Sequence, residues 1–149
     1  MARYIAQVRT TRPVDEVFAY MADLRNIAVW DPSVACVTQV EGKGGGVDAV
    51  FDVTVRGPKG RETTMRYRTM SFDPPEHLTV RAETKALVSL DRVKVSDEGG
   101  TTRLEYEAGL RLKGWRGVAD PLLRRMFDRY GRDAAEGLAR VLDGTLVSS

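Results

Sequence analysis

Residues 101–144 read TTRLEYEAGLRLKGWRGVADPLLRRMFDRYGRDAAEGLARVLDG, and the apolar spacing changes once within this stretch. From Leu104 to Leu112 every second residue is apolar, which is typical of a β-strand with one buried face. After Pro121, apolar residues recur every three or four positions, which is typical of an amphipathic helix. The stretch therefore predicts a long strand followed by a long helix.

Residues typical of helix boundaries mark both ends of the predicted helix. Asp120 is a favourable N-cap, Pro121 fits the first turn, and Gly144 is typical of the position just after a C-terminus. A helix between them is about 33 Å long, enough to cross a small domain. Gly131 and Gly137 are unfavourable inside a helix; they indicate close approach of another element, although an exposed position would also tolerate them. The apolar stripe comprises Leu122, Leu123, Met126, Phe127, Tyr130, Ala134, Leu138 and Val141.

The first third of the chain predicts one strand and two short helices. Residues 3–10 alternate weakly between apolar and polar side chains, as a strand does. Pro13, with Asp15 close behind it, is typical of a helix start. A second helical segment covers residues 23–28 and ends before Pro32, because proline disfavours helix at the residue before it.

Downstream of Pro32 the apolar period is two, and glycine- and proline-rich turns divide the chain into strands. The register of two hairpins follows from their turns: Asp52 should face Arg66, and Arg92 should face Glu105. The predicted strands cover residues 34–41, 47–55, 62–69, 78–82, 88–95 and 101–112.

Two motifs add a family resemblance to this order of elements. Residues 12–23, RPVDEVFAYMAD, followed by Trp30-Asp31-Pro32, resemble the N-terminal signature of the helix-grip superfamily. That superfamily includes START lipid-transfer domains, birch-pollen-allergen proteins and bacterial polyketide cyclase/dehydrase-like proteins. Residues 99–104, GGTTRL, resemble the turn into its last strand. The resemblance covers nearly the whole chain.

The resemblance and the element order together predict an α+β fold. We expect a single helix-grip domain over residues 1–149, with a curved antiparallel sheet of about seven strands wrapped around the long C-terminal helix. Two short helices should follow the first strand. These motifs specify a scaffold and carry no reaction.

Composition limits the partners of the chain. A net charge of +2 on 149 residues is too small to indicate nucleic-acid binding, and basic residues of the last helix have acidic neighbours four positions away. Because no run approaches about 18 apolar residues, and no signal peptide is evident, we expect no stable membrane insertion. The single cysteine fits a reducing compartment, so we expect a cytoplasmic protein whose oligomeric state is open.

A curved sheet cannot contact a helix of about 10 Å diameter along its whole length, so a gap between them is expected. Residues that the strand alternation and the helix stripes turn toward this gap are candidates for binding an apolar small molecule. Each apolar candidate could instead fill an ordinary core. The candidates are Met21, Trp30, Phe51, Val53, Met65, Tyr67, Asp91, Tyr106, Leu110, Trp115, Met126 and Tyr130, with Trp115 near the expected mouth.

Asp91 is the most informative of these positions. Val93 and Val95 set the inward parity of its strand, and the same parity turns Ser89 and Asp91 inward. A carboxylate in an apolar cavity is costly unless it is paired or protonated, and its pKa would be raised. Asp91 is therefore either a polar anchor or general base in the cavity, or a residue at a frayed or open strand end.

The remaining sequence shows no recognisable catalytic or metal-binding constellation. His77, the only histidine, should be exposed at a strand start, and no nucleophile or carboxylate dyad is identifiable beside it. Cys36 should be a small core residue. One histidine and one cysteine give no metal-ligand spacing, so we predict neither a metal nor a cofactor.

Three functions are consistent with this sequence. The first is a non-catalytic carrier or binding protein for a lipid, isoprenoid or polyketide-like molecule. The second, implied by the resemblance, is a cyclase- or dehydrase-like enzyme in which Asp91, Tyr67 or Tyr106 moves protons. The third is an interaction module in which a partner protein or membrane surface uses the cavity mouth.

Overall fold

The computed structural model describes residues 2–114 and 121–147. The strands are β1 Ala2–Thr10, β2 Val34–Glu41, β3 Val50–Arg56, β4 Glu62–Asp73, β5 His77–Glu83, β6 Leu87–Asp97, β7 Thr102–Leu112 and β8 Thr145–Leu146. The helices are α1 Val14–Ala22, α2 Ile27–Trp30 and α3 Pro121–Val141, with 3₁₀ turns at Leu24–Asn26 and Pro58–Gly60.

The strands form one antiparallel sheet in the order β2-β3-β4-β5-β6-β7-β1-β8. The first strand pairs with the last long strand, Ala2 opposite Leu110 and Thr10 opposite Thr102. Helix α3 packs against β1 and α2. The predicted α+β helix-grip architecture is confirmed; the sheet has eight strands because the two-residue β8 also pairs with β1. None of the described helices is both long and apolar enough to cross a membrane.

The core lies between the sheet and the helices, where inward side chains of both layers meet. Alternation along β7 buries Leu104 and Tyr106 and leaves Glu105 half-buried on the other face. From α3, Leu138 is fully buried. The largest fully buried side chains are Trp30, Phe51, Leu78, Leu104, Leu138, Val8, Val17 and Val95, so the sheet, α1, α2 and α3 all contribute.

The two glycines inside α3 mark close approaches of other elements. A Cβ atom at Gly137 would overlap the backbone carbonyl of Trp30, and one at Gly131 would overlap the ring of Tyr4. Glycine therefore lets α3 lie directly on α2 and β1, as the sequence indicated.

The end of α3 differs in detail from its prediction. The left-handed residue is Asp143, with φ of 51°, and Gly144 follows it. Asp143 Oδ2 accepts a hydrogen bond of 2.6 Å from Arg12 Nη2. Gly144 is required for space, because a Cβ there would lie 2.6 Å from the carbonyl oxygen of Arg9. The predicted N-cap, Asp120, lies outside the described residues.

Cys36 is exposed, so its predicted core position is wrong. The register of β2 against β3 shifts between Val34 and Cys36, where the ladder steps from Val34–Val55 to Cys36–Thr54. An extra residue at such a bulge reverses which face the following side chains occupy. His77, in contrast, is exposed at the start of β5 as predicted.

One of the two predicted cross-strand pairs is confirmed. Arg66 faces Asp52 and donates hydrogen bonds of 2.8 Å and 3.1 Å to its carboxylate. The Arg92–Glu105 pairing is wrong, because Arg92 faces Glu107. The turn needs four residues, 98–101, with the Glu98 amide bonded to Thr101 at 2.7 Å. The predicted pairing requires a turn of the same length one residue earlier, at residues 97–100. The displacement offsets the register by two residues and leaves the faces of both strands unchanged.

Candidate functional site

A cavity of about 290 Å³ lies between α3 and the sheet. This volume is just below the range of about 300–1,000 Å³ that is usual for small-molecule sites. Its wall is built by β1, β2, β3, β4, β6, β7, α2, α3 and the segment that joins α2 to β2. The sequence-predicted residues along it are Val53, Met65, Tyr67, Asp91, Tyr106, Leu110, Met126 and Tyr130.

Strand register brings these side chains together. Val53 lies opposite Met65 in the β3–β4 ladder, and Ser89 lies opposite Leu110 in the β6–β7 ladder. Residues that face each other across a ladder point to the same side of the sheet. On α3, Met126 and Tyr130 are four residues apart and occupy one helix face.

Three predicted residues lie outside the cavity wall. Met21, Trp30 and Phe51 are at most 4% exposed and pack within the core. Trp30 supports the wall from behind, because its ring packs edge to face on the ring of the lining residue Tyr106, with the ring centres 5.3 Å apart. Trp115 lies outside the described residues.

Asp91 faces the cavity from the middle of β6, as its strand parity predicts. It is 8% exposed, and Oδ2 accepts a hydrogen bond of 2.9 Å from the hydroxyl of Tyr106. Burial raises the pKa of Asp91 to about 7, against the opposing effect of the Tyr106 hydrogen bond. The carboxyl group therefore changes its charge near neutral pH.

A second buried polar pair lies on the same wall. The hydroxyl of Tyr67 and Oγ of Ser89 are 2.6 Å apart. Burial raises the pKa of Tyr67, and the nearby charge of Asp91 raises it further. Tyr67 is therefore a neutral hydroxyl that can donate or accept a hydrogen bond inside the cavity.

Asp31 is a second carboxyl group at the cavity, and the sequence did not identify it as a site residue. Its Oδ1 accepts hydrogen bonds from the backbone amide and the hydroxyl of Ser33, at 2.9 Å and 2.7 Å. Burial raises the pKa of Asp31, and the charge of Asp133 contributes. The Asp-x-Ser spacing is a signal for the turn that holds this carboxylate. The sequence could not show that the Asp31 side chain lies at the cavity, because side chains in a turn have no regular period.

Tyr4 was also missed, although its strand was predicted. It lines the cavity from β1, and burial raises its pKa to about 12, with smaller contributions from Asp31 and Glu136. The weak alternation of β1 left its inward face undecided, whereas the ring of Tyr4 is placed by its contact with Gly131.

The arrangement is an apolar chamber with hydrogen-bonding groups on its wall. Arg56 is the one cationic side chain among the described lining residues, and its Nη1 donates to the carbonyl oxygens of Pro32 and Val34 at 2.7 Å and 3.3 Å. Across the described residues, no group of three or more His, Cys, Asp or Glu side chains could hold a metal ion. The described wall can therefore form hydrogen bonds with a ligand, and the carboxyl group of Asp91 can hold or release a proton.

An antiparallel sheet that holds a long C-terminal helix over an internal cavity defines the helix-grip class of proteins. Residues 1–143 match the family described as polyketide cyclase / dehydrase and lipid transport, and the chain belongs to this family. The match includes every cavity residue named above. A search of the curated proteins finds no match to this sequence.

Solved structures of the same fold come from diverse sources. A START superfamily protein from Mycobacterium smegmatis has a TM-score of 0.76 and 11% identity, covering 96% of this chain and 98% of that one. The ginseng major latex-like protein 151 from Panax ginseng has a TM-score of 0.69 and 12% identity, with coverages of 95% and 97%. The di-domain ARO/CYC protein StfQ from the steffimycin biosynthetic pathway has a TM-score of 0.70 and 17% identity, covering 95% of this chain but 49% of that one. At these identities, the likeness shows the fold.

Proposed function

We propose that the protein binds a hydrophobic small molecule, of the lipid, isoprenoid or polyketide-like class, in the cavity between the sheet and α3. The observation that carries this proposal is the cavity of about 290 Å³ with its largely apolar wall. Transfer of apolar ligand surface from water contributes about 25 cal/mol per Å². The family's description, which includes lipid transport, agrees with a carrier or binding role.

The polar groups of the wall give such a ligand an orientation. Tyr67, Ser89 and Asp91 are each at most 8% exposed and lie on one side of the chamber, on β4 and β6, which are separated in the sheet by β5. Ligand sites usually combine apolar walls with a few fixed polar groups. We therefore expect a mostly apolar molecule with one polar end or substituent.

The direct test is to purify the protein, extract it under denaturing conditions and analyse the extract by mass spectrometry. We expect an apolar compound in a constant molar ratio to the protein. An extract without such a compound, from a protein that also fails to bind a neutral hydrophobic dye, contradicts the proposal.

Replacing Leu110 with tryptophan should fill the chamber. Leu110 lines the cavity from β7, so the larger ring occupies ligand space, and we expect dye affinity to fall at least about tenfold. Arg111→Trp is the matched control, because Arg111 is adjacent, exposed and outside the cavity wall. Dye titration should separate the two variants, with circular dichroism and melting curves confirming that both are folded. Equal dye affinity in both variants would place the binding site elsewhere.

Proton-transfer catalysis is a second candidate, favoured by the environment of Asp91. Its pKa of about 7 and its hydrogen bond with Tyr106 are suitable for a general base at neutral pH. A reactive chain folded in the chamber would place an acidic C–H bond or a hydroxyl group near this carboxylate. The family's description, which names cyclases and dehydrases, agrees with this candidate.

This candidate predicts that Asp91→Asn lowers turnover of a cyclising or dehydrating substrate by about 10²–10⁴-fold while the ligand still binds. Because the ionised form of Asp91 is the base, the wild-type rate should rise with pH and level off above about 7. Asp97→Asn, an exposed change on the same strand, is the control. Full turnover by Asp91→Asn would remove Asp91 from the mechanism and leave the binding role unaffected.

No observation favours an interaction module over these two functions. Large apolar side chains that are exposed in the described residues belong to several separate elements. They are Ile5 on β1, Val29 on α2, Val40 on β2, Val47 between β2 and β3, Met70 on β4 and Leu146 on β8.

A further inference from the structure

We propose that the ligand of this cavity is an apolar amine, whose cationic nitrogen lies against the two carboxyl groups of Asp31 and Asp91. This inference rests on the proposed binding function and adds the chemical class of the ligand. It follows from the distribution of charge on the cavity wall and from the partners of the two carboxyl groups.

The described cavity wall carries more acidic than cationic side chains. Asp31 and Asp91 both line the cavity, whereas Arg56 is the single cationic residue among the described lining residues. Arg56 lies at the end of β3, where its guanidinium is held by the backbone carbonyls of Pro32 and Val34. The two carboxyl groups interact electrostatically, since the charge of Asp31 disfavours ionisation of Asp91. When both carboxyl groups are ionised, the described wall carries two negative charges and one positive charge, and the positive charge is held at one end by backbone carbonyls.

Neither carboxyl group forms an ion pair within the described part of the chain. Asp91 is 8% exposed and receives a side-chain hydrogen bond on Oδ2 only, with a weaker attraction from the backbone amide of Gly109. A buried carboxylate without a counter-charge is costly, and an ammonium or amidinium group would supply both the charge and the hydrogen-bond donors.

The neutral groups on the wall also accommodate a cation. Tyrosine rings attract cations through their faces, and the hydroxyls of Tyr67, Tyr106 and Ser89 can accept hydrogen bonds. An anionic ligand would instead meet two like charges. A neutral alcohol would form hydrogen bonds without a charge interaction, so its affinity should be intermediate. The tyrosines that line the chamber are Tyr4, Tyr67, Tyr106 and Tyr130.

Binding of a cationic ligand should change the protonation of Asp91. Binding a cation favours the ionised form of Asp91, so an amine should displace a proton near neutral pH. Its affinity should rise between pH values of about 6 and 8, where Asp91 ionises and an alkylammonium with a pKa near that of lysine, about 10.4, stays charged. The titratable groups that share the cavity with Asp91 are Tyr4, Asp31, Arg56, Tyr67, Tyr106 and Tyr130, and Asp133 lies near Asp31.

The test is calorimetric titration of ligand-free protein with decylamine, decanol and decanoic acid, each below its aggregation concentration, at pH about 8. We expect decylamine to bind at least about tenfold more tightly than the other two, as charge-assisted hydrogen bonds allow. Asp91→Asn and Asp31→Asn should each remove most of this preference. Asp97→Asn, with the same change in charge at an exposed site on β6, should retain it. At pH about 6.5, where Asp91 is still largely protonated, titration in two buffers of different ionisation enthalpy should show proton release with the amine alone.

The outcomes separate the two proposals. If none of the three probes binds, and a neutral hydrophobic dye also fails to bind, the cavity binding function itself is wrong. If the alcohol or the acid binds as tightly as the amine, the amine inference is overturned and the binding function stands. A preference for the amine that survives in both Asp91→Asn and Asp31→Asn also overturns the inference, because the cation would then bind elsewhere.

Discussion

Asp91→Asn is expected to become progressively more stable than the wild type as the pH rises from about 4 to about 7. In the folded wild type the pKa of Asp91 is about 7, whereas its ordinary value is 3.8. Between these values the folded protein holds a proton that the unfolded chain has released. The free energy of unfolding of the wild type therefore falls with rising pH, by up to about 1.4 kcal/mol per pH unit and on the order of 4 kcal/mol in total.

Asparagine has no charge to bury, and its side-chain oxygen can still accept the Tyr106 hydrogen bond. The variant should therefore lack this part of the pH dependence. Urea unfolding of ligand-free protein at several pH values measures the difference directly, and contributions from other titrating groups cancel between the two proteins. Asp97→Asn, the same substitution at an exposed position of β6, is the control. Parallel curves for Asp91→Asn and the wild type would show that Asp91 titrates normally.

The same experiment with bound ligand distinguishes a cost of folding from a role in binding. A carboxyl group that destabilises the empty protein at neutral pH is typical of a functional site. An amine bound beside Asp91 should reverse the order of stability, because the ion pair offsets the burial of the charge. The reversal should be absent with an alcohol of the same chain length.

Gly137→Ala is expected to lower the free energy of unfolding by about 1–3 kcal/mol or more. On an exposed helix, the same change would raise it by about 1 kcal/mol. The new Cβ would overlap the carbonyl oxygen of Trp30 and lie 2.9 Å from its carbonyl carbon. Both are backbone atoms that no side-chain rotation can move, so α3 must shift away from α2.

The shift should extend to the cavity. The ring of Trp30 packs on Tyr106, whose hydroxyl group holds Asp91. We therefore expect weaker dye binding together with the loss of stability. Urea unfolding and dye titration measure the two effects.

Gly131→Ala and Glu136→Ala are the comparisons on the same helix. At Gly131 the overlap is with the side chain of Tyr4, which can rotate, so the loss of stability should be smaller than in Gly137→Ala. Glu136 is exposed, and its replacement should change stability by less than about 0.5 kcal/mol. A Gly137→Ala variant as stable as Glu136→Ala would contradict the close packing of α3 on α2.

Periodicity determined the order of the long elements of this protein and the faces of its regularly alternating strands. The two-residue alternation of β6 turned Ser89 and Asp91 inward without knowledge of any contact, because side chains of a strand point alternately to its two faces. The 3.6-residue period gave α3, and its glycines indicated where other elements approach. Hydrophobic alternation depends only on residues close together in the sequence, so it can be recognised without the tertiary structure.

The tertiary structure decided which inward residues lie at the cavity and which fill the core. Phe51 and Val53 share one face of β3, yet Phe51 is fully enclosed and Val53 lines the chamber. Parity gives the face of a residue and says nothing about what covers that face at each point along the strand. That cover depends on the placement of α1, α2 and α3 over the sheet.

Irregular positions were beyond the sequence for a related reason. A bulge in β2 turned Cys36 outward, and a turn after α2 aimed Asp31 into the chamber, although neither feature has a period. Asp31 and Asp91 are 60 positions apart in sequence, yet they line the same cavity from a loop and a strand. The sequence determined that a carboxyl group faces inward on β6. Only packing decided that a second one shares its cavity, because that proximity is set by how the helices lie on the sheet.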